Sequence, residues 1–161
     1  MIEQALISVE NLAFVLALRN STFMYPLVNA GHILGVSLLV GSIVPLDLRL
    51  LGLWRNYPVM VFVDVLRVTA AMGLALAVFC GLLLFATNAP GYAASPLFQA
   101  KIAFVVLGAL NALTLGRVMA RRDIRSLPME SPMPLALRAG GLLSFVIWIS
   151  AMVLGRLLGY F

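Results

Sequence analysis

Apolar residues dominate this 161-residue chain in long runs, and charged residues interrupt the runs only at wide intervals. A helix needs about 20 mostly apolar residues to cross a bilayer, so runs of this kind predict membrane-spanning helices. The pattern predicts four spans, at residues 23–46, 68–87, 97–118 and 139–158. Three intervals hold no charged residue at all, and they lie between Arg67 and Lys101, between Lys101 and Arg117, and between Arg138 and Arg156.

The segment before the first span has a different, mixed pattern. Residues 3–18 place apolar side chains among polar ones that include Glu3 and Glu10, which makes the segment too polar and too short for a span. Such a segment predicts a helix that lies in the membrane interface. Together the patterns predict one all-α integral membrane domain over residues 1–161, an antiparallel bundle of four transmembrane helices with an N-terminal interfacial helix.

Composition narrows the class of protein. The chain is 63% hydrophobic and 11% charged, which is far outside the range of soluble domains and makes the lipid bilayer its main partner. Its formal charge of +5 does not indicate nucleic-acid binding, because the arginines flank the apolar runs, where basic residues set orientation in a membrane. Cys80 is the single cysteine, which excludes an intrachain disulfide and a cysteine-based zinc or iron–sulfur site within one chain.

Basic residues also predict the orientation of the bundle, because those in short loops are retained on the cytoplasmic side. One side of the predicted bundle carries only Arg19, Arg156 and the more deeply placed Lys101. We therefore expect a multi-pass protein of the bacterial inner membrane with both termini in the periplasm. The opposite side carries eight arginines, namely Arg49, Arg55, Arg67, Arg117, Arg121, Arg122, Arg125 and Arg138.

His32 is the only acidic, basic or histidine residue between Arg19 and Asp47, and it falls deep in the first span. An ionisable side chain at that depth costs roughly 2 kcal/mol or more unless it has a partner. A hydrogen bond to Asn111 or to a backbone carbonyl would satisfy it structurally. A bond to a metal or haem iron, or a role in proton transfer, would give it a function, since neutral imidazole is the commonest metal ligand.

Helical spacing places further polar and small residues near His32. Asn29, His32 and Gly35 share one face of the first span, and Lys101 and Asn111 share one face of the third. The two faces are expected at similar depth, which indicates a shared cavity with these five residues as candidate cofactor-binding positions. Gly35 would leave room for a flat macrocycle beside the imidazole.

Two of these signals have simpler explanations. Gly31 and Gly35 form a small-xxx-small pair, whose usual role is close helix packing. If the pair also forms a homodimer contact, two copies of His32 could face one haem across a two-fold axis. Lys101 lies near the outer boundary, so its stem could reach the headgroups and leave the ammonium group in water.

Three short sequences carry a resemblance to known membrane proteins: residues 31–35 (GHILG), 47–52 (DLRLLG) and 98–101 (FQAK). Over nearly its whole length the chain resembles an uncharacterised family of short bacterial four-helix membrane proteins. That family is similar to CopD-like copper-resistance proteins and to the haem-b-containing membrane type of protoporphyrinogen IX oxidase. The resemblance to the oxidase implies that His32 and Lys101 are the key residues. The chain has no second histidine, so the paired histidine ligands of four-helix dihaem cytochromes cannot form in one protomer.

These inferences predict a protein that binds one haem b, with His32 as its axial metal ligand and an electron-transfer or redox role toward a redox partner. Asn29 would orient the imidazole, and Lys101 would lie near the haem edge or on the opposite face of the haem. Two alternatives stay open. One is an oxidase-like enzyme that acts on a tetrapyrrole at the same site. The other is a non-catalytic membrane subunit or a copper-handling protein, with Met24, His32, Cys80 and Met152 as copper ligands.

Overall fold

The computed structural model describes residues 1–121 and 133–160, and every regular element in these residues is helical. Four of the helices are long and three are short. In chain order they are α1 (Ile2–Glu10), α2 (Ala13–Asn20), α3 (Met24–Leu51), α4 (Val59–Ala86), α5 (Ala89–Ala94), α6 (Pro96–Arg121) and α7 (Leu135–Leu157).

The four long helices, α3, α4, α6 and α7, are each long and apolar enough to cross a membrane. They contain 23 to 28 residues. At 1.5 Å per residue that gives a length of about 35 to 42 Å, more than the roughly 30 Å of bilayer hydrocarbon. The prediction of an all-α bundle of four membrane helices is confirmed, and the chain has the architecture of a multi-pass membrane protein.

Helix α3 continues beyond the predicted end of the first span. Pro45 removes one backbone hydrogen bond, but the helix runs through it to Leu51. The helix ends at Gly52, whose φ of 112° is a left-handed conformation that glycine adopts without strain. The Leu48 carbonyl accepts hydrogen bonds from the amides of Gly52 and Leu53 and closes the last turn. The residues just after the predicted span therefore belong to the helix.

Two other boundaries differ from the predicted ones. Helix α4 begins at Val59 rather than at residue 68, because a helix that extends past the hydrocarbon can accommodate charged side chains in its first turns. The N-terminal segment, predicted as one interfacial helix over residues 3–18, consists of two helices. Leu12 separates them, since its extended backbone (φ −60°, ψ 136°) interrupts the helical path.

The long helices alternate in direction, so the bundle has two distinct ends. We name them the terminal end, where both chain termini lie, and the arginine end. Helix α1 contacts α4 and α5, and α2 contacts α3, so the N-terminal segment lies at the terminal end. The terminal end is formed by Met24, Ala86, Pro96 and Leu157, and the arginine end by Leu51, Val59, Arg121 and Leu135.

The four long helices pack as an open bundle. Helix α3 packs against both α4 and α7, and α7 packs against α6. Helices α4 and α6 make few close backbone contacts and meet through side chains, at the stack of Phe85 on Phe98 and in the core cluster that includes Val63 and Met119, and the short helix α5 connects them at the terminal end. The bundle therefore has a gap between α4 and α6 that would face lipid.

Glycines bring α3 and α4 into direct backbone contact. A Cβ added at Gly35 would lie 2.5 Å from the backbone nitrogen of Ala77 and 2.8 Å from the carbonyl oxygen of Gly73. A Cβ added at Gly73 would lie 2.5 Å from the backbone nitrogen of Leu39. No side chain fits at either position, so this crossing fixes the depth and rotation of α3 against α4.

Candidate functional site

A cavity of about 340 Å³ lies between α4 and α6 in the half of the bundle nearer the terminal end. Its volume falls in the range of small-molecule sites, which is roughly 300 to 1,000 Å³. Both His32 and Lys101 line it, and most of the remaining lining is apolar. The structure thus places the two leading candidates from the sequence at one cavity, which we name the terminal cavity.

Aromatic side chains close this cavity toward the terminal end. The Phe85 and Phe98 rings stack with centroids 5.3 Å apart and line the cavity. The ring of Tyr92, on α5, lies 5.5 Å from that of Phe98. Phe85 comes from α4 and Phe98 from α6, so the stack joins the two helices on the side of the gap nearer the terminal end.

The cavity is open on its side, toward the surrounding bilayer. Val78 and Leu82 on α4 and Ile102 on α6 line the cavity and are 44%, 63% and 43% exposed. Apolar side chains can be exposed at this side at no cost in a membrane, because they contact lipid rather than water. A ligand would therefore reach the cavity laterally from the membrane, and an apolar ligand body would be well solvated there.

His32 is held by a hydrogen bond to the next helix. Its Nδ1 lies 2.7 Å from the carbonyl oxygen of Ala77 on α4. A carbonyl can only accept, so Nδ1 carries a proton and donates, and in the neutral ring Nε2 is then the unprotonated nitrogen. The ring fits there because Gly81 has no side chain, and a Cβ at that position would lie 3.1 Å from Cε1.

This hydrogen bond has two consequences. It satisfies the ring structurally through a backbone carbonyl, one of the two partners expected for such a role, while Asn111 is not the partner of His32. It is also the arrangement that metal-binding histidines use, since a bond from one nitrogen to a carbonyl orients the ring and leaves the other nitrogen for the ligand. His32 lines the terminal cavity, and no hydrogen bond from the described residues occupies its Nε2.

Lys101 provides a positive charge at the same cavity. Its side chain extends over Gly155 on α7, where an added Cβ would lie 3.4 Å from Cε and 3.5 Å from Nζ. Across the described ranges 1–121 and 133–160, no hydrogen bond or salt bridge reaches the ammonium group. An anionic group on a ligand would complement it.

The other three candidate cofactor-binding residues do not line the terminal cavity. Asn29 is exposed on α3, and Gly35 is buried against α4. Asn111 donates to the carbonyl oxygen of Gly140 at 3.0 Å and links α6 to α7. Residues three apart on a helix differ in direction by about 60°, so Gly35 faces α4 while Asn29 lies on the other side of His32.

The glycine pair considered for a homodimer packs within one protomer. Gly35 contacts the α4 backbone, and a Cβ added at Gly31 would lie 2.9 Å from Cys80 Sγ. A homodimer stays a prediction, and its contact would have to use other residues. Of the residues expected as copper ligands, His32 and Met152 line the terminal cavity, whereas Cys80 is buried beneath Gly31 and Met24 is 53% exposed.

One feature of the cavity was not identified from the sequence. Trp148 is 3% exposed and forms its inner wall, and Gly108 on α6 makes room for the indole ring. Met152, which was expected as a copper ligand, lines the cavity on α7. Trp148 was missed because an apolar residue in an apolar span carries no signal in the sequence.

Within residues 1–121 and 133–160, no three or more His, Cys, Asp and Glu side chains group together so that they could hold a metal ion. Comparison of the chain with protein families, with curated proteins and with solved structures finds no match.

Proposed function

We propose that the chain is a bacterial inner-membrane protein that binds one haem b in the terminal cavity, with His32 as axial ligand and with a role in electron transfer. The observation that carries the proposal is the hydrogen bond from His32 Nδ1 to the Ala77 carbonyl, which leaves Nε2 for iron at an apolar cavity. A single imidazole is enough, because the porphyrin itself supplies four of the iron ligands.

The remaining groups fit the same ligand. The apolar lining would surround the macrocycle and exclude water, which tunes the reduction potential. Lys101 would pair with a propionate, since its ammonium group is otherwise without a described partner. The opening between α4 and α6 would admit the cofactor from the membrane and would let its edge meet a lipid-soluble redox partner.

The arginine distribution supports the proposed orientation. Six of the eight arginines on the predicted cytoplasmic side lie in the described residues, on α3, α4, α6 and α7 or in the loop after α3. Arg122 and Arg125 lie outside the described residues. With the arginine end in the cytoplasm, both termini and the terminal cavity would lie toward the periplasm.

An absorption spectrum tests the haem proposal. Wild type, His32→Ala and the control Asn29→Ala would be expressed with ample haem, purified in mild detergent and recorded oxidised and reduced. We expect a Soret band in wild type that disappears in His32→Ala and persists in Asn29→Ala, because Asn29 shares the helix but not the cavity. A colourless wild type, or a band that His32→Ala leaves unchanged, would contradict the proposal.

The pairing of His32 and Lys101 also favours a second candidate, an oxidase-like enzyme that binds a tetrapyrrole substrate in the same cavity. Lys101 would then hold a substrate carboxylate, and the lateral opening would admit this lipophilic substrate. Expression in cells that lack their own protoporphyrinogen oxidase tests this function. Rescue of haem synthesis by wild type but not by Lys101→Met would support the enzyme, and absence of rescue by wild type would weigh against it.

A further inference from the structure

A second cavity, of about 330 Å³, lies between the same two helices in the half nearer the arginine end. We name it the arginine cavity. Leu39, Leu74 and Trp148 line both cavities and separate them. Half of its lining residues on α4 and α6 are small, which keeps the gap open: Ala70, Ala71, Ala109, Ala112 and Gly116.

Asp47 brings a carboxyl group to this cavity. Its side chain is only 2% exposed, and the Ser144 hydroxyl on α7 hydrogen-bonds to the carboxyl group. The Oδ2 atom of the same carboxyl is buried without a hydrogen-bond partner among residues 1–121 and 133–160. A buried acceptor of this kind is costly unless a donor reaches it, so the site lacks one donor.

Arg67 brings a guanidinium group to the same cavity from α4. Its Nη2 lies 2.6 Å from the position that a Cβ at Gly116 would occupy, so the side chain reaches across the gap onto α6. In the part of the chain that the structure describes, no salt bridge joins Arg67 to Asp47. The cavity thus presents one negative and one positive group that do not neutralise each other by contact.

The depth of these groups matches the membrane surface. Asp47 lies four residues before the end of α3 and Arg67 eight residues after the start of α4, which is about 6 and 12 Å from the helix ends. The helices are about as long as a bilayer with its headgroups, so both groups lie near the boundary between headgroups and hydrocarbon. Leu113, which lines the cavity, is 56% exposed and faces the same open side.

We propose that the arginine cavity binds the headgroup of a zwitterionic aminophospholipid, with its primary ammonium donating to Asp47 Oδ2 and its phosphate contacting Arg67. Charge complementarity requires a ligand with a cationic N–H donor and an anionic oxygen. The opening toward lipid favours a phospholipid over a soluble zwitterion, because the acyl chains can continue into the gap between α4 and α6. The site uses neither His32 nor Lys101, so it is independent of haem binding.

The test compares two lipids that differ only in N–H donors. Delipidated wild-type protein would be titrated with phosphatidylethanolamine and with phosphatidylcholine of the same acyl chains, and binding followed by native mass spectrometry. Phosphatidylcholine has the same charges, but its quaternary ammonium group cannot donate. We expect roughly tenfold tighter binding of phosphatidylethanolamine, the ratio that one charge-assisted hydrogen bond provides. Equal binding of the two lipids, or tighter binding of anionic phosphatidylglycerol, would overturn the proposal.

Variants locate the site. Asp47→Asn should remove most of the preference for phosphatidylethanolamine over phosphatidylcholine. Arg67→Gln should weaken the binding of both lipids while this preference remains. Glu3→Gln, an equivalent change at an exposed position on α1, should alter neither. A preference that survives in folded Asp47→Asn would overturn the site, and the wild-type comparison stands even if that variant does not fold. Soluble phosphoethanolamine that binds as tightly as the lipid would overturn the choice of a phospholipid.

Discussion

The terminal cavity and the arginine cavity occupy one gap between α4 and α6 and have nearly equal volumes, about 340 and 330 Å³. They differ in the polar groups that face them. The terminal cavity presents the imidazole of His32 and the ammonium group of Lys101, and no carboxyl group from residues 1–121 or 133–160 lines it. The arginine cavity presents the carboxyl group of Asp47 and the guanidinium group of Arg67. One arrangement of helices therefore provides space twice, and a few side chains give each space its own chemistry.

The two cavities also share a way of holding their polar groups. His32 makes one hydrogen bond, to Ala77 on α4, and keeps one ring nitrogen for a ligand. Asp47 is bonded by Ser144 on α7 and keeps one oxygen. In each case a neighbouring helix orients the group, and the unused atom belongs to a side chain at the cavity wall. Space together with a half-satisfied polar group distinguishes a binding site from an imperfection in packing.

The largest effect is expected from removing the wall between the cavities. Trp148 is 3% exposed, and its ring packs where a side chain at Gly108 would otherwise lie. Trp148→Ala should lower the free energy of unfolding by about 3–5 kcal/mol and merge the cavities. Trp148→Phe keeps an aromatic wall and removes an indole N–H that has no described partner, so it should cost less than about 1.5 kcal/mol. Unfolding by SDS in mixed micelles measures both, and equal losses would show that an aromatic ring at this position is not sufficient to maintain the wall.

A smaller loss is expected from separating α3 and α4, which form one side of both cavities. Gly35→Leu places a side chain against the backbone of Ala77 and should cost about 1–3 kcal/mol. Gly41 lies on the same helix, and nothing lies within 4 Å of a Cβ added there, so Gly41→Leu is the matched control. It should change stability by less than about 0.5 kcal/mol. The same unfolding titration compares them, and equal effects would mean that the glycine contact does not position the cavities.

The four long helices were predictable because apolar runs of this length with so few charged residues are typical of membrane-spanning helices. The sequence placed helix ends less well, since α3 passes through Pro45 and α4 begins at Val59, and charged residues such as Asp47 and Asp64 interrupt the apolar pattern in both extensions. The break at Leu12 within the N-terminal segment is likewise invisible in composition. Hydrophobicity indicates where lipid is, and a helix can continue beyond it.

Site residues were predictable in part, for a related reason. Counting residues from the span ends placed His32 and Lys101 at similar depth, and both line the terminal cavity. Helical spacing grouped Asn29 and Gly35 with His32, but it does not give the rotation of a helix against its neighbours. The contact of Gly35 with Gly73 sets that rotation and turns Gly35 toward α4.

A selective effect on the terminal cavity is expected from Gly81. A Cβ there would lie 3.1 Å from His32 Cε1 and 3.2 Å from Nδ1, so Gly81→Ala should tilt the imidazole away from its bond to Ala77. We expect haem affinity to fall about tenfold, as for other groups that orient a ligand, with lipid preference unchanged. Gly155→Ala is the control, because its Cβ would lie at an ordinary 3.4 Å from Lys101 Cε. Haem titration measures both, and a parallel change in lipid binding would contradict the independence of the cavities.

The smallest effect on stability is expected from removing the positive charge of Lys101 from the terminal cavity. Lys101→Met keeps an unbranched stem over Gly155 and removes an ammonium group that has no described partner. Without haem, the variant should be more stable than wild type by up to about 1 kcal/mol, because an uncompensated cation among apolar residues destabilises the fold. Arg156→Met makes the same change of charge at an exposed site, where the guanidinium contacts Tyr160, and should be neutral or slightly destabilising.

Haem binding should reverse the order of stability of wild type and Lys101→Met. If the ammonium group pairs with a propionate, wild type gains more from the cofactor than Lys101→Met does, and the thermal midpoint of wild type becomes the higher of the two. Thermal unfolding in detergent, with and without haem, measures this crossover. If Lys101→Met is less stable than wild type both with and without haem, the lysine contributes to packing rather than to ligand binding. The terminal cavity would then have one functional group, whereas the arginine cavity has two.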